Sequence, residues 1–251
     1  MRRFYLPPEA LNTPEPVISG PDANHIKNVL RLKPGQTIAV FDGQGNAYEA
    51  VIRTLSTDSV AISPGAAVRS EPNRPVEITL AQALLKSGKM DTLVRQITEL
   101  GIARWAPFIA ERSVPRPDPG RAGKKRARWE TIAREAMKQC GRNRMPEVGG
   151  VAGFDDILEM TTDTDLSLIF YEAEKTPVDL LSLSESMPRP KTLLIIVGPE
   201  GGFTESEMER AKAFDILRGS LGPRILRAET AALAAATLIQ FLFGDMREKT
   251  P

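Results

Sequence analysis

At 251 residues, with 41% hydrophobic and 26% charged residues, the chain has the composition of a globular protein and length for one large core or two smaller ones. Its 33 Lys and Arg nearly balance 32 Asp and Glu, so net charge alone does not point to a polyanionic partner. The single Cys140 excludes an internal disulfide and a cysteine-cluster metal site, and the single His25 excludes a two-histidine zinc site. No metal is expected. Behind Arg2 and Arg3 there is no apolar run of the kind a signal peptide needs. The longest apolar stretch, Ala231 to Phe243, is too short to cross a bilayer. A cytoplasmic protein without a membrane partner is the expectation.

Residues 1 to about 63 read mostly as short strands. Asp22 is a good N-cap for a helix carrying Ile26, Val29 and Leu30 on one face. Ile38–Phe41 runs into the glycine-rich turn Asp42–Asn46, and Ala47–Ile52 returns from it, which predicts a hairpin. Val60–Ile62 is a further strand, and a small β-barrel would close so many short strands. Residues 64–75, rich in Pro and Gly, read as a linker, so domains are expected at 1–70 and 74–251.

From Val76 the pattern alternates strand and helix. Val76–Ala81 reads as a strand, and Asp91 as the cap of a helix with Leu93, Val94, Ile97 and Leu100 inward and Gly101 at its end. Trp105–Ile109 reads as a strand and Thr131–Gln139 as part of a helix. Leu166–Phe170 and Leu193–Val197 are continuous apolar runs, as in strands covered on both faces. Together these predict an α/β domain with a mostly parallel sheet.

Charge is segregated within this half. Residues 112–144 hold eleven Lys and Arg against three acids, and residues 153–186 hold nine acids against one Lys. The basic run could follow a phosphate backbone; a solvated helix face fits it as well. Trp105 and Trp129 read as core residues and His25 as a packing residue.

The strongest local motif is Leu194–Thr204, where a buried strand enters Gly198-Pro199-Glu200-Gly201-Gly202 and Thr204 with Glu207 forms a capping box for a helix. Ligands of α/β sheets sit beyond such strand ends, and glycines allow the backbone to come close. The turn matches neither a P-loop nor the Gly-x-Gly-x-x-Gly spacing. A second motif, Leu221-Gly222-Pro223-Arg224-Ile225-Leu226-Arg227-Ala228-Glu229-Thr230-Ala231, leads into a helix that reads as apolar on every face, hence buried all round, within its own core or against a second copy of the chain. Glu229 could equally be a first-turn acid and Arg227 its surface partner.

These two motifs resemble the SPOUT superfamily of methyltransferases. The likeness extends to Arg-Arg-Phe-Tyr at residues 2–5, His25–Leu32, Phe41–Gly43, Lys86–Lys89, Glu99–Gly101, Arg112-Ser113, Arg134–Ala136 with Gln139 and Arg142, and Tyr171-Glu172. On these the chain is similar, over nearly its whole length, to the RsmE family of 16S ribosomal RNA (uracil-N3) methyltransferases. The resemblance implies a PUA-like barrel that places RNA, a trefoil-knotted α/β domain, S-adenosylmethionine as cofactor, a homodimer, and 16S ribosomal RNA in the assembled small subunit as substrate. It implies cofactor contacts from Phe170, Tyr171, Glu172, Val197, Gly198, Pro199, Glu200, Gly201, Gly202, Leu221, Gly222, Ile225, Leu226, Arg227, Thr230 and Ala231. Ala228 stands where the family often has threonine, and Cys140, expected to be partly buried, where serine is common.

Candidate phosphate contacts are Arg2, Arg3, Arg31, Lys86, Lys89, Lys124, Lys125, Arg126 and Arg142. For the chemistry, Arg227 and Glu229 offer the positive and negative groups that methylation of an N–H nitrogen requires, with Glu200 and Glu172 in reserve. Two other readings remain open at this point: a knotted enzyme methylating ribose 2′-hydroxyls of another RNA, and a non-catalytic RNA-binding dimer.

Overall fold

The computed structural model describes residues 2–70, 76–86, 88–116 and 119–247. Contacts divide the chain into two compact units, Met1–Asn73 with Arg134–Met145, and Arg74–Ala133 with Pro146–Pro251.

The first unit is built on β1 (Arg3–Tyr5), β2 (Val17–Ser19), β3 (Thr37–Phe41), β4 (Asn46–Leu55) and β5 (Ser59–Ser70), in the order β1-β3-β4-β5-β2. The expected hairpin joins β3 to β4, with Val40 opposite Tyr48. Buried Asp42 makes its turn: Oδ1 accepts the backbone N–H groups of Gln44 at 2.7 Å and Asn46 at 3.0 Å. Gly43 and Gly45 take φ of 77° and 112° there, a region that costs an L side chain about 1–2 kcal/mol. The sheet is curled but not the closed barrel expected, because its two edges, β1 and β2, have three residues each and do not pair with each other. The linker expected at 64–75 is also revised, since β5 continues through Ser70; residues 71–75 lie outside the described residues.

The short helices here are α1 (Pro8–Leu11) and α2 (Gly20–Asn24), the second running on as a π-helical turn over His25–Val29. Asp22 is therefore inside the helix and not its cap; its carboxylate holds Lys138 Nζ at 2.7 Å. The wider π turn rotates Val29 off the apolar face, leaving it 66% exposed, while Ile26 is fully buried with Phe4, Ile38, Ile52 and Ile62. His25 packs edge-on to Phe4, 6.2 Å between ring centres.

The second unit contains β6 (Glu77–Ala83), α3 (Lys89–Glu99), β7 (Arg104–Ile109), α4 (Pro119–Cys140), β8 (Glu147–Val148), β9 (Ala152–Gly153), α5 (Phe154–Glu159), β10 (Leu166–Phe170), α6 (Leu180–Ser186), β11 (Thr192–Val197), α7 (Glu205–Ala211), β12 (Leu217–Gly219) and α8 (Ala228–Leu242). The last residues of α4 belong to the first unit, where Met137 is buried with Phe41 and Ala47. The sheet runs β12-β10-β11-β6-β7-β8, with β9 also on β7, and every pairing is parallel. Leu168, Ile169, Leu194, Ile195 and Ile196 are at most 0% exposed at its centre, each stabilising the fold by about 1.5–3 kcal/mol.

One expectation about a helix changes, and a second narrows. The cap position before α3 is Gly88, at φ 62°, and Asp91 lies in the first turn, its carboxylate bound to Arg128 at 2.7 Å and to the Trp129 indole N–H at 3.1 Å. Trp129 in turn packs edge-on to fully buried Trp105. Helix α8 is not covered all round within one chain. Ala232, Ala235, Ala236 and Ile239 face the core beside β6, β11 and α3, whereas Phe241 on the opposite side is 49% exposed. Among the described residues no helix is long and apolar enough to cross a membrane.

Candidate active site

Strands β12, β10 and β11 are neighbours, and the segments leaving their carboxyl ends meet around one cavity of about 690 Å³. Three stretches line it: Phe170–Glu172 with Glu174 after β10, Val197–Glu200 with Gly202 after β11, and Gly219–Ala228 with Ala231 after β12. Lys89, at the start of α3, closes one side. This is where a parallel sheet leaves backbone donors and acceptors free for a ligand.

The turn after β11 is held from several directions. The capping box forms as expected: Thr204 Oγ1 accepts the Glu207 N–H at 3.2 Å, and Glu207 Oε2 accepts the Thr204 N–H at 2.8 Å. Glu207 is wholly buried, and its other oxygen accepts the N–H of Glu111 at 2.9 Å. The Arg112 guanidinium donates to the carbonyl of Gly201 at 2.9 Å. At Gly202, φ is +67° and an added Cβ would collide with the Glu172 carboxylate, so both backbone conformation and space demand glycine. On the other strand side, Gln82 Nε2 donates to the Gly198 carbonyl at 3.0 Å.

Nearly all the residues singled out for cofactor contact come together here. Phe170, Tyr171, Glu172, Val197, Gly198, Pro199, Glu200, Gly202, Leu221, Gly222, Ile225, Leu226, Arg227 and Ala231 line the cavity. Gly201 and Thr230 do not. A Cβ on Gly201 would meet Arg112 Cβ at 3.0 Å, outside the cavity, and Thr230 lies on the outer face of α8 with Leu233, Thr237 and Phe241. Gly219, Ser220, Glu174, Pro223, Arg224 and Ala228 join the lining; only their place in or beside the second motif, or for Glu174 beside Tyr171-Glu172, could have suggested them. Ala228, buried, starts α8.

Of the two residues expected to carry the chemistry, Arg227 is the exposed N-cap residue of α8: its carbonyl accepts the Ala231 N–H at 2.8 Å, and its guanidinium has no hydrogen bond or ion pair among the described residues. Glu229 is half-buried in the first turn. Its Oε2 is 3.2 Å from Lys89 Nζ, within ion-pair range, although the angles fall short of a hydrogen bond and leave that buried oxygen otherwise unmatched. Lys89 also donates to Glu200 Oε1 at 3.0 Å, and these two carboxylates raise its pKa above the usual lysine value. Burial pushes the Glu200 carboxyl up, but the Lys89 ammonium and the N–H of Lys86 more than offset this and hold it below its ordinary value.

The residues chosen as phosphate contacts scatter. Arg3 donates to the Arg142 carbonyl and the Asn143 side chain and lies 5.0 Å over the Phe41 ring. Arg142 is only 8% exposed, and Arg126 pairs with Glu130. Lys89 is engaged as described. Arg2, Arg31, Lys86 and Lys124 are exposed and Lys125 half-exposed; Arg31 is the one non-glycine with positive φ among the described residues. Within the basic run, Arg112, Arg116, Arg128 and Lys138 also have partners inside their own unit, and the side chain of Arg121 is outside the described residues. Cys140 is exposed, not partly buried, because it ends α4 on its outer side.

Comparison with known proteins identifies the family. A family model described as an RNA methyltransferase domain matches residues 72–240, and one described as an RNA methyltransferase PUA domain matches residues 18–64, within the curled half-barrel sheet. The chain is 36% identical over 227 residues to ribosomal RNA small subunit methyltransferase E of Bacillus subtilis, covering 89% of each protein. It is 30% identical to the Synechocystis sp. protein of the same name, covering 96% of this chain and 77% of that one. The crystal structure of the Neisseria gonorrhoeae ribosomal RNA small subunit methyltransferase E bound to S-adenosyl methionine superposes with a TM-score of 0.81 at 33% identity, over 98% of this chain and 99% of that one. With a parallel sheet, a PUA-type half-barrel and this likeness along almost its full length, the chain belongs to the ribosomal RNA small subunit methyltransferase E (RsmE) family of RNA methyltransferases.

Proposed function

We propose that this chain transfers the methyl group of S-adenosylmethionine to N3 of a uridine in 16S ribosomal RNA, within the small ribosomal subunit, as a cytoplasmic homodimer that uses no metal. The cavity at the ends of β10, β11 and β12 carries this reading. Its lining fits the cofactor's chemistry: Glu172, Glu174 and Glu200 offer negative charge to a sulfonium and an ammonium, while Phe170, Val197, Leu226 and Ala231 offer apolar surface to a purine. Gly222, with open space where a Cβ would stand, lets the backbone come close to it. The Neisseria gonorrhoeae relative bound to S-adenosyl methionine supports the assignment. Bound there, S-adenosylmethionine supplies an electrophilic methyl group.

The protein's task is to make N3 a nucleophile. That nitrogen carries a proton, and once it is lost the negative charge spreads onto two carbonyl oxygens. Glu229, in the first turn of α8 next to the lining residue Ala228, takes the proton; its buried Oε2 faces Lys89 and makes no hydrogen bond. Arg227 stabilises the anion with its guanidinium, which has no partner among the described residues. The two rim segments are the knot loops of a SPOUT domain over 74–251, and residues 1–70 form the PUA-like domain that places RNA. Lys124 and Lys125 serve as phosphate contacts. The exposed apolar groove of α8, from Thr230 through Leu233, Thr237 and Leu238 to Phe241, packs on a second copy.

Undermethylated small subunits incubated with the full-length protein and labelled S-adenosylmethionine test the reaction. Nucleoside mass spectrometry is expected to find 3-methyluridine; a 2′-O-methyl nucleoside, or no label, overturns the proposal. Sedimentation at micromolar concentration is expected to give a dimer, and a monomer throughout would remove that part.

A further inference from the structure

Lysine is a poor choice for the first residue of a helix, because the free N–H groups and the helix dipole there repel a cation. Lys89 holds that position in α3, behind Gly88 at φ 62° and with no side-chain cap. What offsets the repulsion comes from elsewhere in the second unit. Nζ lies 3.0 Å from Glu200 Oε1 in the glycine turn and 3.2 Å from Glu229 Oε2 in the first turn of α8. The N–H of Lys86 adds a second donor to Glu200 at 3.2 Å. One ammonium thus lies between two carboxylates, each borne by a different segment of the cavity wall, and all three side chains are about one-third exposed or less.

We infer that Lys89 is a positioning residue of this site, tying the glycine turn to the start of α8 and setting where the Glu229 carboxylate points. The inference deepens, and rests on, the reading of the cavity as the methyl-transfer site with Glu229 as proton acceptor. Without the ammonium, Glu200 and Glu229 are like charges sharing one corner, and their repulsion pushes the two wall segments apart. Lys89 is then unavailable to an RNA phosphate, since engaging one means leaving both carboxylates. Glu200, anchored also by the Lys86 N–H, is the fixed end of the bridge and Glu229 the end that is steered.

The test uses the full-length protein and its Lys89→Met, Lys89→Arg, Glu229→Gln and Lys89→Met/Glu229→Gln variants. Calorimetry with S-adenosylmethionine, single-turnover methylation of undermethylated small subunits, and RNA affinity against salt are the readouts. Lys89→Met is expected to lower cofactor affinity and the single-turnover rate by roughly tenfold each, the size of coupling usual between charges in contact. Lys89→Arg should recover most of both. With Glu229→Gln already present, Lys89→Met should cost cofactor affinity roughly threefold or less, because the repulsion is gone. The salt slope of RNA binding should not change. Wild-type cofactor affinity and rate in Lys89→Met overturn the inference. So does a salt slope lowered by about one, which would make Lys89 a phosphate contact. Additive losses in the double variant also overturn it, and this arm reads binding alone even where turnover is abolished. If the unaltered protein binds no S-adenosylmethionine, the proposed function fails first, separately from anything Lys89 does.

Discussion

The loop from Ser220 to Arg227 and the segment 112–144 are both rich in arginine, yet the two use it in opposite ways. In the loop, Arg224 and Arg227 are exposed on a cavity rim with no ion pair among the described residues. In the long segment most cations are engaged: Arg112 with the Gly201 carbonyl, Arg116 with the carbonyls of Ala110 and Glu111, Arg128 with Asp91, and Lys138 with Asp22. Charge density is therefore a poor guide to charge available for a ligand. A guanidinium already donating to carbonyls or carboxylates must give those bonds up before it can bind a phosphate.

The comparison breaks most visibly at the rim. Glu229→Gln should slow single turnover by about 10²–10⁴-fold, as for a lost general base, and Arg227→Ala by about 10²–10³-fold, as for a lost anion stabiliser. Cofactor affinity by calorimetry should change little in Arg227→Ala. Near-normal rates in both would mean that the free cations of the rim are ordinary surface charge.

Next in size is the internal network that the basic segment shares with the glycine turn. Glu207→Ala leaves the part-buried N–H groups of Glu111 and Thr204 without their carboxylate acceptor, at about 1 kcal/mol each. Thermal unfolding should shift down by about 2–4 °C per kcal/mol for a chain of this length. Arg112→Ala should lower cofactor affinity more than RNA affinity, since its partner is the Gly201 carbonyl. The opposite order would restore Arg112 to the RNA surface.

A smaller effect sharpens the contrast inside the basic segment itself. Lys124→Ala with Lys125→Ala should flatten the slope of log affinity against log salt by about 1.4–1.8, one counterion-release increment per phosphate contact. Arg128→Ala should leave that slope alone and cost little stability, as expected for an exposed pair. Equal slopes for the two variants would return the segment to an undifferentiated basic face.

The smallest effect concerns an acid of the region opposite in charge. The Asp165 carboxylate accepts the N–H groups of Thr192 and Lys191, which hold its pKa below the usual aspartate value. A depressed folded-state value means stability that is present above the unfolded aspartate pKa and lost as pH falls through the folded one. Asp165→Asn should therefore melt lower than the parent at neutral pH, with the gap closing in acid. A gap that persists unchanged in acid would show that charge on Asp165 is not the source.

Much of this architecture is written in short stretches of chain. The apolar runs of β10 and β11, the hairpin about Asp42, and the Thr204–Glu207 capping box each depend on residues within a few positions of one another, so periodicity and turn chemistry declare them. The same holds for the two glycine-bearing motifs, whose placement after parallel strands puts most of the expected contacts on one cavity. What depended on tertiary structure is which groups meet across the fold. Arg128 finds Asp91 across 37 positions and Lys89 finds Glu200 across 111, so neither pairing leaves a local trace. The two-sided character of α8 was likewise decided by packing, because an apolar composition states that faces need covering but not which of them β6, β11 and α3 will cover. Propensity acts along the chain over a turn or two, whereas electrostatic pairing and burial act through space, and only the folded chain brings the two into register.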